Sequence, residues 1–486
     1  MSSRLIPLHT KFFYGIGQLS EGMTKISFSL FILFFYTQLL GIPGYYTGTA
    51  LCIALVFDAF ADLWVGIVSD QWHSKWGRRH PFMFVSAIPL AISFYLLFSP
   101  PELLKHSNLG LAIWLTVFAI MTRFWTSVFQ VPYLSLGAEL SKNSQERTKI
   151  VSFRYAFSNI GVIIVLIIGF QFFFIPTKDI VNGQMNPEAY SPFAFCLGLL
   201  IIISTFLSVF GTRKEIPSLL KINPVEKHNR STAEEFKHNL SKISVALNNN
   251  SFRALLYSLI ISYILVGIVN NINIFMLTFF WEFNTTEIAI VSSVIFIGIL
   301  GGGFFTPLLH SHFDKKHTVI YSVIAWIGFL ILPTCLRLIG WFPENASPEV
   351  FWILSLFRVC EGLSLVQAAV SFGSMIADVT DEHALATGKR EEGIFFGASS
   401  FASKCSDGVG TLVAGLLLDV IHFPTGAEVK VADIPANTLF QLGLCYGPFM
   451  IILAAASLWF CNQYDLTSEK HISILAELEE LENKRS

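Results

Sequence analysis

The stretch Asp58-Ala59-Phe60-Ala61-Asp62 sets two carboxylates one helical turn apart inside an apolar run, from about residue 47 to residue 68. A run of that length crosses a bilayer, and residues four apart project from the same face of a helix. Charge at that depth costs about 2.5–3.5 kcal/mol per residue on insertion scales and marks ion or substrate pathways. Two acids kept there are predicted to be functional; the alternative is that they are salt-bridged packing residues.

The composition is typical of an all-α membrane protein. Of 486 residues, 53% are hydrophobic and 14% are charged, whereas a soluble domain carries about 25% charged residues. The formal net charge of −2 suggests no nucleic-acid partner. The 7 cysteines form no C-x-x-C pair, which argues against a disulfide framework or a zinc site.

Hydropathy predicts twelve transmembrane helices, because these runs lack the alternation of a barrel and only helices or closed barrels satisfy the backbone in lipid. A long polar gap divides six spans from six, which predicts an N-terminal bundle over 1–211, a cytoplasmic linker over 212–253, a C-terminal bundle over 254–461 and a tail over 462–486. The predicted spans are 12–40, 46–69, 81–99, 109–137, 150–175, 192–211, 254–280, 285–309, 318–339, 349–376, 391–421 and 437–461.

The distribution of lysine and arginine predicts that both termini are cytoplasmic. With the N-terminus inside, the outer loops hold only Lys105, Lys178 and Lys430, and nearly all other loop lysines and arginines fall inside. Such an excess of positive charge marks the cytoplasmic side. The first span has no cleavage site after it, so we expect an uncleaved multi-pass protein of the plasma, or inner, membrane.

Asp58 and Asp62 are expected to titrate as a coupled pair, because two close carboxylates cannot both ionise cheaply in a low dielectric. A proton, a small cation or a basic side chain relieves that repulsion. Lys404 in the eleventh span is a candidate partner, unless it is satisfied locally by Asp407. The site is expected to hold a monovalent cation only, and no cofactor is expected.

The fourth span is predicted to be a polar wall facing the second. Arg123 and Gln130 are seven residues apart and share a face, and Ser127 lies between them. Trp125 offers a stacking face for a solute, or it packs against its neighbours. Glu21 in the first span lines the same cavity, or it pairs with Lys25 four residues on.

Charged loops at matching places in the two halves predict a cytoplasmic gate. Basic residues there can hold acidic groups and helix C-termini together, and internal repeats of this kind are common in secondary transporters. The expected gating residues are Asp70, Gly77, Arg78, Arg79, Arg154, Arg390 and Glu392.

The chain resembles the glycoside–pentoside–hexuronide:cation symporters, the melibiose permease family of the major facilitator superfamily. The resemblance covers nearly the whole chain. It rests on the Asp58/Asp62 stretch with Gly66, on the loop Trp76-Gly77-Arg78-Arg79-His80-Pro81-Phe82, on Val131-Pro132-Tyr133, on Gly388-x-Arg390-x-Glu392-Gly393 and on Lys404.

The resemblance implies the major facilitator fold, a cation site at Asp58 and Asp62 with help from Ser127, and coupling through Lys404. Two aspartates hold the sugar in melibiose permease, and their positions here are Gly22 and Gln130. Ala61 stands where the sodium-using permease has an asparagine, so both Na⁺ and H⁺ remain candidates.

Three functions are compatible with these residues. The first is cation-coupled symport of a sugar or glycoside by alternating access, in a monomeric, non-enzymatic carrier that uses no ATP. The second is symport of a lysophospholipid or another amphipath, because the lysophosphatidylcholine symporters of the same wider family also lack the sugar aspartates. The third is a non-transporting membrane receptor.

Overall fold

We describe a computed structural model of the chain. It describes residues 6–485, with gaps at 73, 142, 179, 181, 218, 220–233, 235–245, 346, 389–390, 427–428 and 430–432. Most of the predicted linker, together with Arg390, lies outside the described residues.

All regular elements of the described part of the chain are helices, as expected for a chain whose backbone must satisfy its own hydrogen bonds in lipid. The helices are α1 (Leu8–Ile16), α2 (Gln18–Ile26), α3 (Gly44–Gln71), α4 (His80–Leu97), α5 (Asn108–Glu139), α6 (Ser144–Ile168), α7 (Tyr190–Thr212), α8 (Asn250–Phe275), α9 (Thr285–His312), α10 (Lys315–Leu338), α11 (Pro348–Thr387), α12 (Glu392–Val420), α13 (Ala436–Tyr446), α14 (Pro448–Asn462) and α15 (Ser468–Arg485). Short π-helical segments prolong α2, α6 and α8, and short 3₁₀ turns occur in the connections.

Eleven helices in the described part are long and apolar enough to cross a membrane, and they coincide with eleven of the predicted spans. The first predicted span, residues 12–40, consists instead of consecutive shorter pieces: α1, α2 and the π-helical segments Ser27–Ile32 and Phe35–Leu39. The all-helical class is therefore confirmed, while the count of twelve stays a prediction.

Helix α11 runs well past its predicted end at residue 376. Hydropathy reads only the apolar part of a helix, whereas the polar residues that follow continue the same helix to Thr387. The helix stops at Gly388, whose φ of +71° is a left-handed conformation that glycine adopts without strain.

The described helices cluster into two compact units. The first unit comprises Met1–Phe236, Asn284–Thr286 and Thr411–Lys430, and the second comprises Lys237–Phe283, Glu287–Gly410 and Val431–Ser486. The last part of α12 thus groups with the first unit. The predicted domain limits stay predictions.

In the first unit, a carboxylate from α12 holds the start of α3. Pro43 precedes α3 and provides no capping side chain. Asp419 accepts hydrogen bonds from the backbone N–H groups of Gly44 at 2.7 Å and Tyr45 at 2.6 Å. Gly44 and Gly415 pack so closely that a Cβ on either would overlap the backbone of the other helix. An anion therefore sits at the positive end of the α3 dipole.

In the second unit, the C-terminal helix α15 packs against the polar end of α11. His471 lies 3.1 Å from Asp381 and 3.6 Å from Asp378, measured from Nε2 to the nearest carboxylate oxygen. Ile474, three residues further along α15, is also buried, with 6% of its surface exposed. Leu475 and Leu481 of the same helix are exposed.

Candidate functional site

The acidic pair lies in the middle of α3, a helix whose buried positions are otherwise mostly small or apolar. Asp58 is only 2% exposed, and Asp62, one turn further on, is partly buried. Neither side chain is classed as exposed, and Asp58 is the more deeply buried of the two. A buried carboxylate needs hydrogen bonds or a counter-charge to be tolerated.

Helix α5 supplies a hydroxyl group to this pair. Ser127 Oγ donates a hydrogen bond of 2.7 Å to Asp58 Oδ1, and the serine is 1% exposed. Several of the buried residues of α3, such as Ala54 and Ala61, are small, as is typical of closely packed transmembrane helices. The structure therefore brings Ser127 and Asp58 into direct contact, and Asp62 lies one turn away on the same helix.

The chemistry of these groups suits a monovalent cation or a proton. Two carboxylates and a hydroxyl offer hard oxygen ligands, and bound positive charge offsets the repulsion between the acids. Within the described residues, no three His, Cys, Asp or Glu side chains gather as a multivalent metal site would require.

A second group of polar side chains connects α2, α5 and α6. Ser158 Oγ donates to Glu21 Oε2 at 2.9 Å, and Gln18 Nε2 donates to the same oxygen at 3.1 Å. Gln130 Nε2 donates in turn to Gln18 Oε1 at 3.4 Å. These four residues form one hydrogen-bonded chain, which we call the amide chain, and it places Glu21 and Gln130 in one network.

Two buried polar atoms on the same face of α5 have no hydrogen-bond partner in the described part of the chain. They are Nε of Arg123 and Oε1 of Gln130. The Arg123 guanidinium lies 4.1 Å from the centre of the Phe28 ring, which stabilises its charge but does not satisfy Nε. Because an unsatisfied buried group costs about 1–3 kcal/mol, a bound molecule with hydroxyl groups would relieve both.

Gly22 has a packing role. It is buried where α2 crosses α6, and a Cβ built on it would overlap the carbonyl oxygen of Ser158. A carboxylate at this position would require the two helices to separate. Melibiose permease has a sugar-binding aspartate at the matching position. Here the close packing of α2 against α6 leaves no room for that side chain.

Trp125 and Lys404 are the other predicted solute and coupling residues. Trp125 is partly buried and meets the ring of its neighbour Phe124 edge-on, with centroids 5.3 Å apart. Lys404 is a partly buried residue of α12 in the second unit. Both assignments stay predictions.

Three of the seven predicted gating residues, Asp70, Arg78 and Arg79, take part in an ion network in the first unit. Arg79 lies 2.6 Å from Asp70 and 2.8 Å from Glu139, and it donates to Ser69 at 2.9 Å. Arg78 reaches the same Glu139 oxygen at 3.2 Å. Gly77 precedes them with a φ of +78°, a turn conformation that other residues resist. The network ties the end of α3 to the start of α4 and the end of α5.

The remaining gating residues show no common site among the described residues. The Arg154 guanidinium lies 5.0 Å above the ring of Tyr155 on the same helix. Glu392 is the first residue of α12. Arg390 lies outside the described residues, so its role stays a prediction.

In the second unit, Arg358 and Glu361 of α11 form an ion pair at 2.8 Å. Arg358 also donates to Asn273 and, at 3.4 Å, to the Tyr446 hydroxyl. The guanidinium thus connects α8, α11 and α13. These contacts indicate that Arg358 has a packing role in this unit.

Sequence reasoning missed Gln18 and Ser158. Gln18 lies three residues before Glu21, a spacing that places both side chains on one helix face. That spacing was a usable signal for Gln18. Ser158 carries none, because serine is common in transmembrane helices and often bonds only to its own backbone.

These features define a class of protein: an all-helical, polytopic membrane protein with a carboxylate–hydroxyl pair and unsatisfied polar groups inside one bundle. Polar groups placed in this way mark ion and solute pathways. The family described as "MFS/sugar transport protein" matches residues 13–468, and the chain belongs to that family. It is a membrane transporter and not an enzyme, as the sequence predicted.

Curated relatives agree with this assignment, and a solved structure shares the fold. The chain is 24% identical to the isoprimeverose transporter of Lactiplantibacillus pentosus, over 85% of this chain and 80% of the relative. It is 23% identical to the glucuronide carrier protein homolog of Escherichia coli (strain K12), over 96% and 94% of the two chains. The inward-open xylose transporter XylE from E. coli superposes with a TM-score of 0.62 at 12% identity, over 97% of this chain and 98% of that one, and this likeness shows the fold.

Proposed function

We propose that this chain is a secondary active symporter that couples the entry of a monovalent cation to the transport of a sugar or glycoside. The cation, Na⁺ or H⁺, binds at Asp58 and Asp62 with help from Ser127. The proposal extends to a monomer in the plasma (inner) membrane with both termini in the cytoplasm. Alternating access is driven by the cation gradient, and Lys404 takes part in coupling.

One observation carries the proposal: the cation ligand and the unsatisfied solute groups share one face of α5. Arg123, Ser127 and Gln130 follow one another at spacings of four and three residues, so their side chains project in the same direction. Ser127 bonds to Asp58, while Nε of Arg123 and Oε1 of Gln130 have no partner in the described part of the chain. A movement of α5 upon cation binding would therefore also move the groups that contact the solute.

The chemistry of those two atoms favours a polyhydroxylated solute. Arg123 Nε is a donor and Gln130 Oε1 is an acceptor, and a sugar hydroxyl can serve either one. The names of the relatives point the same way, since the isoprimeverose transporter and the glucuronide carrier homolog are named for a disaccharide and a sugar acid conjugate. These observations favour a sugar over a lysolipid and over a receptor role.

Uptake by the purified protein in proteoliposomes tests the proposal. We would impose Na⁺ and pH gradients separately and supply labelled isoprimeverose, methyl β-D-glucuronide, D-xylose and lysophosphatidylcholine. We expect accumulation of at least one sugar above equilibrium under one of the gradients, and no accumulation of the lysolipid. Asp58→Asn and Asp62→Asn should abolish the response to the gradient, whereas Asp465→Asn, at an exposed position after α14, should not.

The opposite outcome is equally clear. Accumulation that persists in both carboxylate variants would remove the cation site from this pair. Uptake of the lysolipid without any sugar would replace the proposed substrate class.

A further inference from the structure

The amide chain has a direction, because its first member can only accept hydrogen bonds. A carboxylate oxygen of Glu21 receives hydrogens from both Ser158 and Gln18. An amide side chain has one NH₂ end and one carbonyl end. Since Gln18 turns its NH₂ group to the carboxylate, its carbonyl oxygen is left facing the next residue.

The same reasoning fixes the next link. Gln18 Oε1 accepts, so Gln130 must present its own NH₂ group to it, and the two atoms are 3.4 Å apart. The carbonyl oxygen Oε1 of Gln130 is then at the far end of the chain. It is buried and has no partner in the described part of the protein. Gln18 is 5% exposed, so water has little access to compensate for a reversed amide.

We propose that Glu21 is a specificity-determining residue: acting through Gln18, it makes Gln130 present a hydrogen-bond acceptor, and so selects solutes that donate a hydroxyl hydrogen at that position. The inference rests on the proposed function. Gln18 is the positioning residue between the carboxylate and Gln130. The substrate class is a sugar with a free hydroxyl there, and an ether, a deoxy centre or a fluorine in its place is rejected.

Reversal of the chain explains why a neutral residue at position 21 would change this selectivity. With Glu21→Gln, each of the three amides can be turned round while every internal hydrogen bond is still made. Gln130 can then present either its oxygen or its NH₂ group. A solute hydroxyl, which both donates and accepts, binds in either case. A group that only accepts binds once the NH₂ group faces it.

The test compares ratios of KM, because a general loss of folding does not change a ratio. The probes are isoprimeverose and methyl β-D-glucuronide, each with its series of monodeoxyfluoro analogues, in which fluorine keeps the approximate size of the hydroxyl but cannot donate. For wild type we expect one position whose fluorination raises KM by at least about tenfold, in line with a lost hydrogen bond to a buried acceptor. In Glu21→Gln that ratio should fall to within about threefold.

Two further variants separate direction from contact. Gln18→Met keeps the size of the side chain but interrupts the chain, so the ratio should fall as it does in Glu21→Gln. Ser158→Ala removes one bond to Glu21 but leaves the carboxylate and the direction, so the ratio should stay at its wild-type value. Surface expression and elution as a single species confirm that each variant is folded.

Three results decide the matter. If Glu21→Gln and Gln18→Met keep the wild-type ratio at every position, or raise all KM values by one factor, Glu21 does not set the orientation of Gln130 and the inference is overturned while the proposed function stands. If wild type accumulates none of the three sugars isoprimeverose, methyl β-D-glucuronide and D-xylose under either gradient, both are overturned. Loss of the ratio in both variants and its survival in Ser158→Ala supports the inference.

Discussion

Replacing Ser127 by alanine should change the cation dependence of transport in a direction that identifies the cation. The Ser127 hydroxyl donates to Asp58 at 2.7 Å, and both side chains are almost fully buried, so water cannot take its place. A hydrogen bond to a charged group is worth about 1.5–3 kcal/mol. At about 1.4 kcal/mol per factor of ten, its loss corresponds to about a ten- to one-hundred-fold change in cation affinity.

The direction of the change in cation dependence depends on whether the site binds Na⁺ or a proton. A sodium ion would lose an oxygen ligand, so half-maximal uptake would require about ten- to one-hundred-fold more Na⁺. A proton would bind more tightly, because the ionised carboxylate would lose a stabilising donor, and the midpoint of activation would move to higher pH. The assay is initial uptake of labelled sugar into proteoliposomes as a function of external Na⁺ at fixed pH, and then of pH without Na⁺.

Ser127→Thr is the matched control, since it keeps the hydroxyl on a slightly larger side chain. It should retain the wild-type cation dependence within a small factor. If Ser127→Ala has the same half-saturating Na⁺ concentration and the same pH midpoint as wild type, then Ser127 contributes nothing to the cation site. The assignment of that site to the contact between α3 and α5 would then be wrong.

Three further outcomes follow from packing and charge. Gly22→Ala should destabilise the protein by about 1–3 kcal/mol, because the added methyl group overpacks α2 against the α6 backbone. Gly301→Ala is the control, because open space surrounds Gly301, and it should leave stability unchanged. Thermal unfolding followed by size-exclusion chromatography measures both. Asp419→Asn should lower stability by about 1 kcal/mol in the same assay, because it removes the charge at the N-terminus of α3, and an unchanged melting temperature would contradict the capping role. Ile474→Asp should release α15 from α11 and increase amide hydrogen exchange over 468–485, while Ile472→Asp, at an exposed position of the same helix, should leave exchange unchanged.

The membrane spans could be predicted from the sequence because the bilayer demands them. A helix that crosses lipid must be apolar over about 20 residues, and eleven predicted spans coincide with eleven helices of sufficient length and hydropathy. The end of α11 was missed for the same reason: once the helix leaves its apolar stretch, hydropathy no longer reports on it. Its true end depends on Gly388 and on packing against α15.

The candidate site was predicted in part. Spacing alone placed Asp58 and Asp62 on one face and predicted that the fourth span faces the second, whereas the role of Ser127 at the cation site came from the family resemblance and stays a prediction. The hydrogen bond between Ser127 and Asp58 joins these two helices. Spacing within one helix cannot show which residues of other helices will meet them. Ser158 and the packing of Gly22 against α6 were therefore beyond reach, because both depend on how closely two helices approach in space.

The helix that bears the acidic pair is anchored at its two extremities. Asp419 accepts hydrogen bonds from Gly44 and Tyr45 at its N-terminus, and Arg79 forms an ion pair with Asp70 near its C-terminus. A helix held at both ends cannot translate or rotate freely when a cation binds at its middle. Any displacement of α3 that accompanies transport has to break one of these two sets of interactions. Their strength would therefore set the barrier to the conformational change of the carrier.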